Sequence, residues 1–255
     1  MLCNIILILL ILLIIIVIYF YNKNKYENFK IIENIDSNID LVIVSSHYNE
    51  DIEWLKETDL PVVVCSKVLN SPLCSMNINK GREASSYLKF IIDNYDILPK
   101  NIAFIHGHED AWHHNLQHQN SKTLIDIIKC AKYKAYGYIS LNNLYIDDRN
   151  INNENYVYMQ KELWNLLFRP YLNRNIPNHI LHDCCAQFIV SRERILNLPK
   201  EAYEKWYNYI LYEDPLDDNS FKLGIIFEYL WHIIFGEPDI VTKQENLKRF
   251  SCNLI

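Results

Sequence analysis

The segment Leu41-Val-Ile-Val-Ser45 runs into a polar turn, His47-Tyr-Asn-Glu-Asp51, and then into a short helical stretch through Trp54 and Leu55. Unbroken β-branched residues suit a strand buried on both faces, so the order here is strand, loop, helix. Downstream, Pro61 to Cys65 is a second buried run, and Ala84, Tyr87, Leu88, Ile91, Ile92 and Tyr95 recur three and four apart, which predicts a helix. Asn101 to Ile105 is a third strand, entered after Pro99 stops that helix. Short apolar strands alternating with helices predict an α/β domain with a mainly parallel sheet and helices on both faces. Ligands of such sheets sit at the carboxyl ends of the strands, so a site is expected in the loops after Ser46 and Ile105. In the second half, Ser121 to Cys130, Glu162 to Phe168, Ser191 to Leu198, Glu201 to Leu211 and Leu223 to Phe235 allow helix. Gly137 to Leu141 and Ala186 to Val190 read as strands.

Upstream, Leu2 to Tyr21 is apolar apart from Cys3, Asn4 and the terminal tyrosines. As a helix it spans roughly 30 Å, one bilayer crossing. It ends in Tyr19-Phe-Tyr21 and Asn22-Lys23 rather than a small-residue cleavage site, so it is expected to remain as a transmembrane anchor. Residues 2–21 are then the anchor, 22–40 a polar, Asn-rich linker and 41–255 a single globular domain. Lys23, Lys25 and Lys30 follow the anchor and nothing basic precedes it, which by the positive-inside rule turns the domain of this single-pass protein toward the cytosol, with a lumenal placement left open. The lack of an Asn-x-Ser/Thr acceptor site fits the same side. A net charge of -6 and the lack of a long Lys/Arg cluster argue against a nucleic-acid partner. The seven cysteines show no Cys-x-x-Cys spacing, and buried reduced thiols are expected ahead of disulfides.

Four constellations can carry chemistry. Phe104-Ile-His-Gly-His-Glu-Asp-Ala-Trp-His-His114 closes the third strand. If that strand continues to Asp110, then His106, His108 and Asp110 share a face, and two imidazoles with a carboxylate can hold a divalent metal such as Mn or Zn. A hydrogen-bonded histidine cluster explains the same residues, and His113, His114 and His118 are further candidate ligands. Asn79-Lys-Gly-Arg-Glu-Ala84 is a glycine turn entering a helix, where backbone N–H groups and Arg82 suit a phosphate or carboxylate; a surface ion pair explains Arg82 equally. In Asp183-Cys-Cys-Ala-Gln-Phe188, packing accounts for Cys184 and Cys185 better than a nucleophile served by His182 or His179. On the last long helix Glu228 and His232 are four apart and share a face, which suits general-base work or an ordinary polar pair. No GxGxxG, P-loop or Gly-x-Ser-x-Gly element is present to support a dinucleotide, P-loop or serine-hydrolase activity.

The blocks GREA at Gly81 to Ala84, FIHGHxxAWH at Phe104 to His113, CCAQFxVSRERI at Cys184 to Ile195 and EYLWHIIFG at Glu228 to Gly236 resemble, in this order, the fungal and microbial family called domain of unknown function 3431. The likeness covers Leu41 to Pro238 and implies no activity. VIVSSHYNED at Val42 to Asp51 and NKGREA at Asn79 to Ala84 resemble GT-A glycosyltransferases. That resemblance implies a nucleotide-diphospho-sugar-transferase-like fold, a nucleotide-sugar donor and a glycan or small-molecule acceptor. In those enzymes the next strand ends in an Asp-x-Asp that holds a divalent ion against the diphosphate. Here the place falls on His106-Gly-His108, so a softer ion, a carboxylate from Asp110 or loss of transferase chemistry is implied. By the same resemblance Asn49 and Glu50 lie near the nucleotide, Arg82 near its phosphates and Gln187 and Phe188 beside the acceptor. Glu228, sharing its helix face with His232, is then the base. His-x-His-x-Asp also resembles the first motif of metallo-β-lactamase-type hydrolases, which implies a dinuclear zinc site. A non-catalytic, membrane-tethered binding domain is the third expectation.

Overall fold

The computed structural model describes residues 10–17, 34–68, 73–74, 76, 78–110, 123–142, 146–150 (backbone only), 161–183, 185–215 and 220–252. β1, Val42–His47, is buried along its whole length, as its apolar run requires. β2, Val62–Ser66, and β3, Asn101–His106, flank it in parallel, and α2, Arg82–Asn94, lies between them in the chain. β4, Tyr138–Ser140, and β7, Phe188–Ser191, complete a five-stranded sheet in the order β2-β1-β3-β7-β4. β7 is antiparallel to both β3 and β4, so the other four strands share one direction. The expected α/β architecture is present, with one inverted strand that the apolar pattern did not disclose. β5, Ile146–Asn150, and β6, His179–Asp183, form a separate antiparallel pair. The Asp183 carbonyl accepts the Ser140 hydroxyl at 3.2 Å, so β6 ends against the carboxyl end of β4. The chain then enters β7 after a short connection and has to run back.

Alternate residues of each strand face opposite layers, as a pleated strand demands. Val42, Val44, Phe104 and Phe188 pack with α2, with α7, Lys200–Asn208, and with α8, Phe221–Ile234. Ile43, Val64, Ala103, Ile105 and Ile189 pack on Leu124, Ile127 and Ile128 of α3, Leu124–Cys130. A capping box of Thr123 and Asp126 starts α3, and Ser191 caps α6, Arg192–Leu196, as an N-cap serine should. α4, Lys161–Leu163, continues through a π-helical turn into α5, Arg169–Leu172, and α9, Lys243–Leu247, closes the described chain.

Five cysteines are oxidised, against the expectation of reduced thiols. Cys65 bonds Cys74, Cys130 bonds Cys252, and Cys185 is also in a disulfide. Cys3 and Cys184 lie outside the described residues. The pairs are invisible in the spacing because one spans 9 residues and the other 122, and the long one is closed only when the segment around Phe250 bridges to Ala131. Cys252→Ser is expected to cost about 2–4 kcal/mol, because the bridge removes much of the freedom of a long unfolded loop, whereas Cys74→Ser should cost less. Denaturant midpoints of the two variants under non-reducing conditions check the order.

Residues 10–17 form α1, with every side chain about half exposed. The rest of the expected 2–21 anchor lies outside the described residues, among which no helix is long and apolar enough to cross a membrane.

Candidate functional site

β1 delivers the chain into the turn Tyr48–Asp51, where the Glu50 carboxylate accepts the amides of Tyr48 at 2.6 Å and Asn49 at 3.1 Å. The loop after β3 presses against this turn. A Cβ at Gly107 would sit 3.0 Å from the Ser46 carbonyl oxygen and 3.1 Å from the Glu50 carboxylate, so a side chain there would have to press the two loops slightly apart. The Trp54 indole donates to the Gly107 carbonyl at 2.8 Å and holds the contact from outside.

The third contribution comes from the turn into α2. Gly81 and Arg82 both take left-handed backbone conformations, with φ of 66° and 51°. For a residue with a side chain that conformation costs roughly 1–2 kcal/mol, so neighbours must impose it. Lys67, directly after β2, donates its Nζ to the carbonyls of Lys80 and Arg82. On α8, a Cβ at Gly224 would lie 2.9 Å from the Arg82 Cγ and 3.0 Å from the Gly81 carbonyl, so the helix passes close because that side chain is missing. One helical turn later, on the same face, the Glu228 carboxylate meets the Arg82 guanidinium at 2.9 Å.

Charge accumulates between these loops. Glu83, in the first turn of α2, has its carboxylate 3.6 Å from His106 Nε2 and 3.7 Å from Arg82 Nε. Burial pushes its pKa up, but the hydrogen bond and charge of His106, with Arg82, outweigh burial and hold it well below the usual carboxylate range. Burial pulls the Lys67 ammonium down to about 8; Glu83 and Glu50 oppose that and Arg82 adds to it. The His108 ring lies 5.1 Å from His106, and burial, then His106, lowers its pKa while Glu50, Glu83 and Asp110 raise it. Glu50, Lys67, Arg82, Glu83, His106, His108 and Glu228 therefore cluster at the carboxyl ends of β1, β2 and β3.

Several expectations need correction. β3 ends at His106, so the alternation that would align His106, His108 and Asp110 stops there, and Asp110 is exposed. His106 turns to Glu83 instead, and among the described residues no group of three His, Cys, Asp or Glu side chains is set to hold a metal ion. His113, His114 and His118 lie outside the described residues. Gln187 is fully buried: its Oε1 accepts the His106 amide at 3.0 Å and its Nε2 donates to Asn142 Oδ1 at 3.2 Å, which braces the end of β3. Asn49 contributes its backbone amide to the Glu50 turn. Glu228 and His232 share a helix but serve different places, because His232 is buried and stacks on His182 with ring centroids 4.1 Å apart. Burial, then His182, keeps the His232 imidazole neutral, well below its ordinary pKa. Cys185, held in a disulfide, is no thiol nucleophile. Sequence reasoning missed Lys67 and Glu83 as site residues; a lysine straight after a buried strand, and a glutamate beside Arg82 in the first turn of a helix, were the available signals.

The model of the family described as "Protein of unknown function (DUF3431)" matches residues 42–249. The chain belongs to that family. No curated protein and no solved structure matches it. In this DUF3431 domain the GREA block opens α2, FIHGH closes β3 and EYLWHIIFG forms the end of α8. Segments scattered over the sequence thus supply Arg82, Glu83, His106, His108 and Glu228 to one cluster.

Proposed function

We propose that this DUF3431 protein is a membrane-anchored, glycosyltransferase-like enzyme that takes a sugar from a nucleoside diphosphate donor. The observation that carries this is the placement of two cations, Lys67 and Arg82, at the start of α2 beside the carboxyl ends of three parallel strands. Breaking the bond between sugar and diphosphate puts negative charge on the leaving group, and fixed donors aimed at that charge lower the barrier. The N–H groups in the first turn of α2 point the same way. The Arg82 side chain is 34% exposed and lies 4.9 Å over the Phe221 ring. Glu228 is only 11% exposed and would be stranded as a nearly buried carboxylate without its partner, so Arg82 meets a phosphate with its exposed side while it keeps Glu228 paired. The divalent ion implied by the likeness to GT-A enzymes does not suit the residues present. Glu50 is engaged by two amides and Glu83 by His106 and Arg82, and Asp110 is exposed beyond the end of β3, so no step here depends on a metal. The same geometry counts against a dinuclear zinc hydrolase.

Thermal denaturation of the full chain in detergent against a set of nucleoside diphosphate sugars tests this. A donor at a hundred times its Kd should stabilise the protein by about 2.7 kcal/mol. Arg82→Ala should remove that stabilisation without unfolding the domain, and EDTA should leave it in place. If no nucleotide sugar stabilises the protein, the non-catalytic binding domain takes its place, and tight retention of zinc would restore the hydrolase.

The exposed apolar helix at residues 10–17 supports the anchor, and the disulfides bear on its orientation. Disulfides persist in oxidising compartments, and that requirement outweighs three lysines after the anchor. The proposal therefore sets the domain on the lumenal or external side. Protease digestion of sealed vesicles should leave the domain intact until detergent is added.

A further inference from the structure

One face of α8 frames the Arg82 side chain. Phe221, Gly224 and Glu228 stand at the first, fourth and eighth positions of that helix, three and four residues apart, so they line up on one side of it. Each meets a different part of the arginine. The gap at Gly224 admits the Arg82 Cγ, the Glu228 carboxylate takes Nη1 at 2.9 Å, and the guanidinium carbon lies 4.9 Å from the centre of the Phe221 ring. A ring set over a guanidinium covers one of its faces and leaves its N–H donors, which point outward in the plane, to meet an anion.

Phe221 is 52% exposed, whereas Phe227, Leu230 and Trp231 on the same helix are buried. Single exposed apolar residues are common on protein surfaces, but this one lies against the charged group of the candidate site and is fixed from behind. Ser220, just before it, takes a left-handed conformation with φ of 50°, and its buried hydroxyl donates to the Ile210 carbonyl at 2.7 Å. A residue other than glycine is held in that conformation by its surroundings. The Ile210 side chain also fills the space beside Gly81, where a Cβ would lie 2.5 Å from it. One residue thus backs both the turn that presents Arg82 and the turn that presents Phe221, so ring and guanidinium are set relative to each other in advance.

The distances decide what the ring can meet. A phosphate oxygen sits about 2.9 Å from a guanidinium nitrogen, and the group esterified to that phosphate begins within the next few ångströms. That is the reach of a ring 4.9 Å from the same guanidinium. In a nucleoside diphosphate sugar two groups have a flat face to lay on it, the nucleobase and the C–H side of the sugar ring.

Building on the donor site proposed above, we propose that Phe221 is the stacking platform for the ring carried by the phosphate that Arg82 holds. Arg82 reads the diphosphate and Phe221 reads what is attached to it. The pair separates nucleotide ligands from inorganic phosphate and pyrophosphate, which bring the same charge and no flat face. A ring that only held Arg82 in place would serve every phosphate ligand alike.

The test measures the affinity of the full-length chain in detergent for inorganic pyrophosphate, a nucleoside diphosphate, and the nucleoside diphosphate sugar that gives the largest thermal shift. Calorimetric titration serves the two nucleotides, and pyrophosphate is read by its displacement of a bound nucleotide. Melting temperatures confirm that the variants fold. Phe221→Ala should leave the affinity for pyrophosphate unchanged and weaken the nucleoside diphosphate sugar about tenfold or more. Phe221→Tyr, which keeps the flat face, should bind that ligand as the wild type does. A loss already present with the nucleoside diphosphate identifies the nucleobase as the stacked ring, and a loss that first appears with the attached sugar identifies the sugar. An equal loss for all three ligands, no loss for any, or a loss in Phe221→Tyr as large as in Phe221→Ala overturns the proposal while the donor site stands. Pyrophosphate that fails to displace a bound nucleotide from the wild type also overturns it, because no phosphate is then held beside the ring. If neither nucleoside diphosphates nor their sugars bind the wild type, the transferase proposal falls and this one with it.

Discussion

Asp183→Asn is expected to make the protein more stable than wild type at pH 8, by up to roughly 4 kcal/mol, and to change little at pH 4. Asp183 is buried, and burial lifts its pKa from the ordinary 3.8 to about 7. The folded state therefore holds a proton across about three pH units in which the unfolded chain has already released it. Each such unit is worth about 1.4 kcal/mol. The sign follows from which state holds the proton. Because the folded pKa lies above the unfolded one, the wild type has this contribution in full below about pH 4 and loses it progressively until pH passes about 7. Asparagine carries no proton to lose, so the difference between variant and wild type grows over that window and is flat above it. Denaturant titrations of both proteins from pH 4 to 8 measure it. A constant difference across the range would mean that Asp183 is solvated and carries its ordinary pKa.

Trp231→Ala is expected to cost about 3–5 kcal/mol. The ring is 1% exposed and lies at the centre of an aromatic cluster. It meets Phe227 at 5.1 Å, Phe188 at 5.6 Å, Phe235 at 5.7 Å and Tyr87 at 6.1 Å between ring centroids, so it ties α8 to β7 and α2 together. A cavity there cannot close, because rigid rings on three elements line it. Trp231→Phe keeps a ring and removes a buried indole N–H that has no acceptor among the described residues, so it should lose clearly less. Urea midpoints with an unchanged slope check both values.

How far the site could be read in advance varies residue by residue. The place of Arg82 was legible because a glycine before a helical pattern marks the turn that opens α2. The meeting of the loops after β1 and β3 was legible because parallel strands end on one edge. His106, His108 and Asp110 misled, because sharing a face required β3 to go on past His106, and the strand stops where Gly107 packs on the Glu50 turn. Glu228 and His232 misled in another way. Four residues apart puts two side chains on one side of a helix, but not in one environment, when Arg82 and His182 approach that helix at different turns.

The chain order by itself determined the α/β class, the first three strands, the edge on which the cluster lies and membership of the DUF3431 family. These depend on local periodicity and on motifs whose residues are neighbours in sequence. Tertiary structure alone decided the inverted strand β7, the Cys130–Cys252 bridge, the Arg82–Glu228 pair and the burial of the Asp183 carboxylate. Each depends on groups far apart in the chain, or on burial, and neither distance in space nor loss of water is encoded in the spacing of residue types along it.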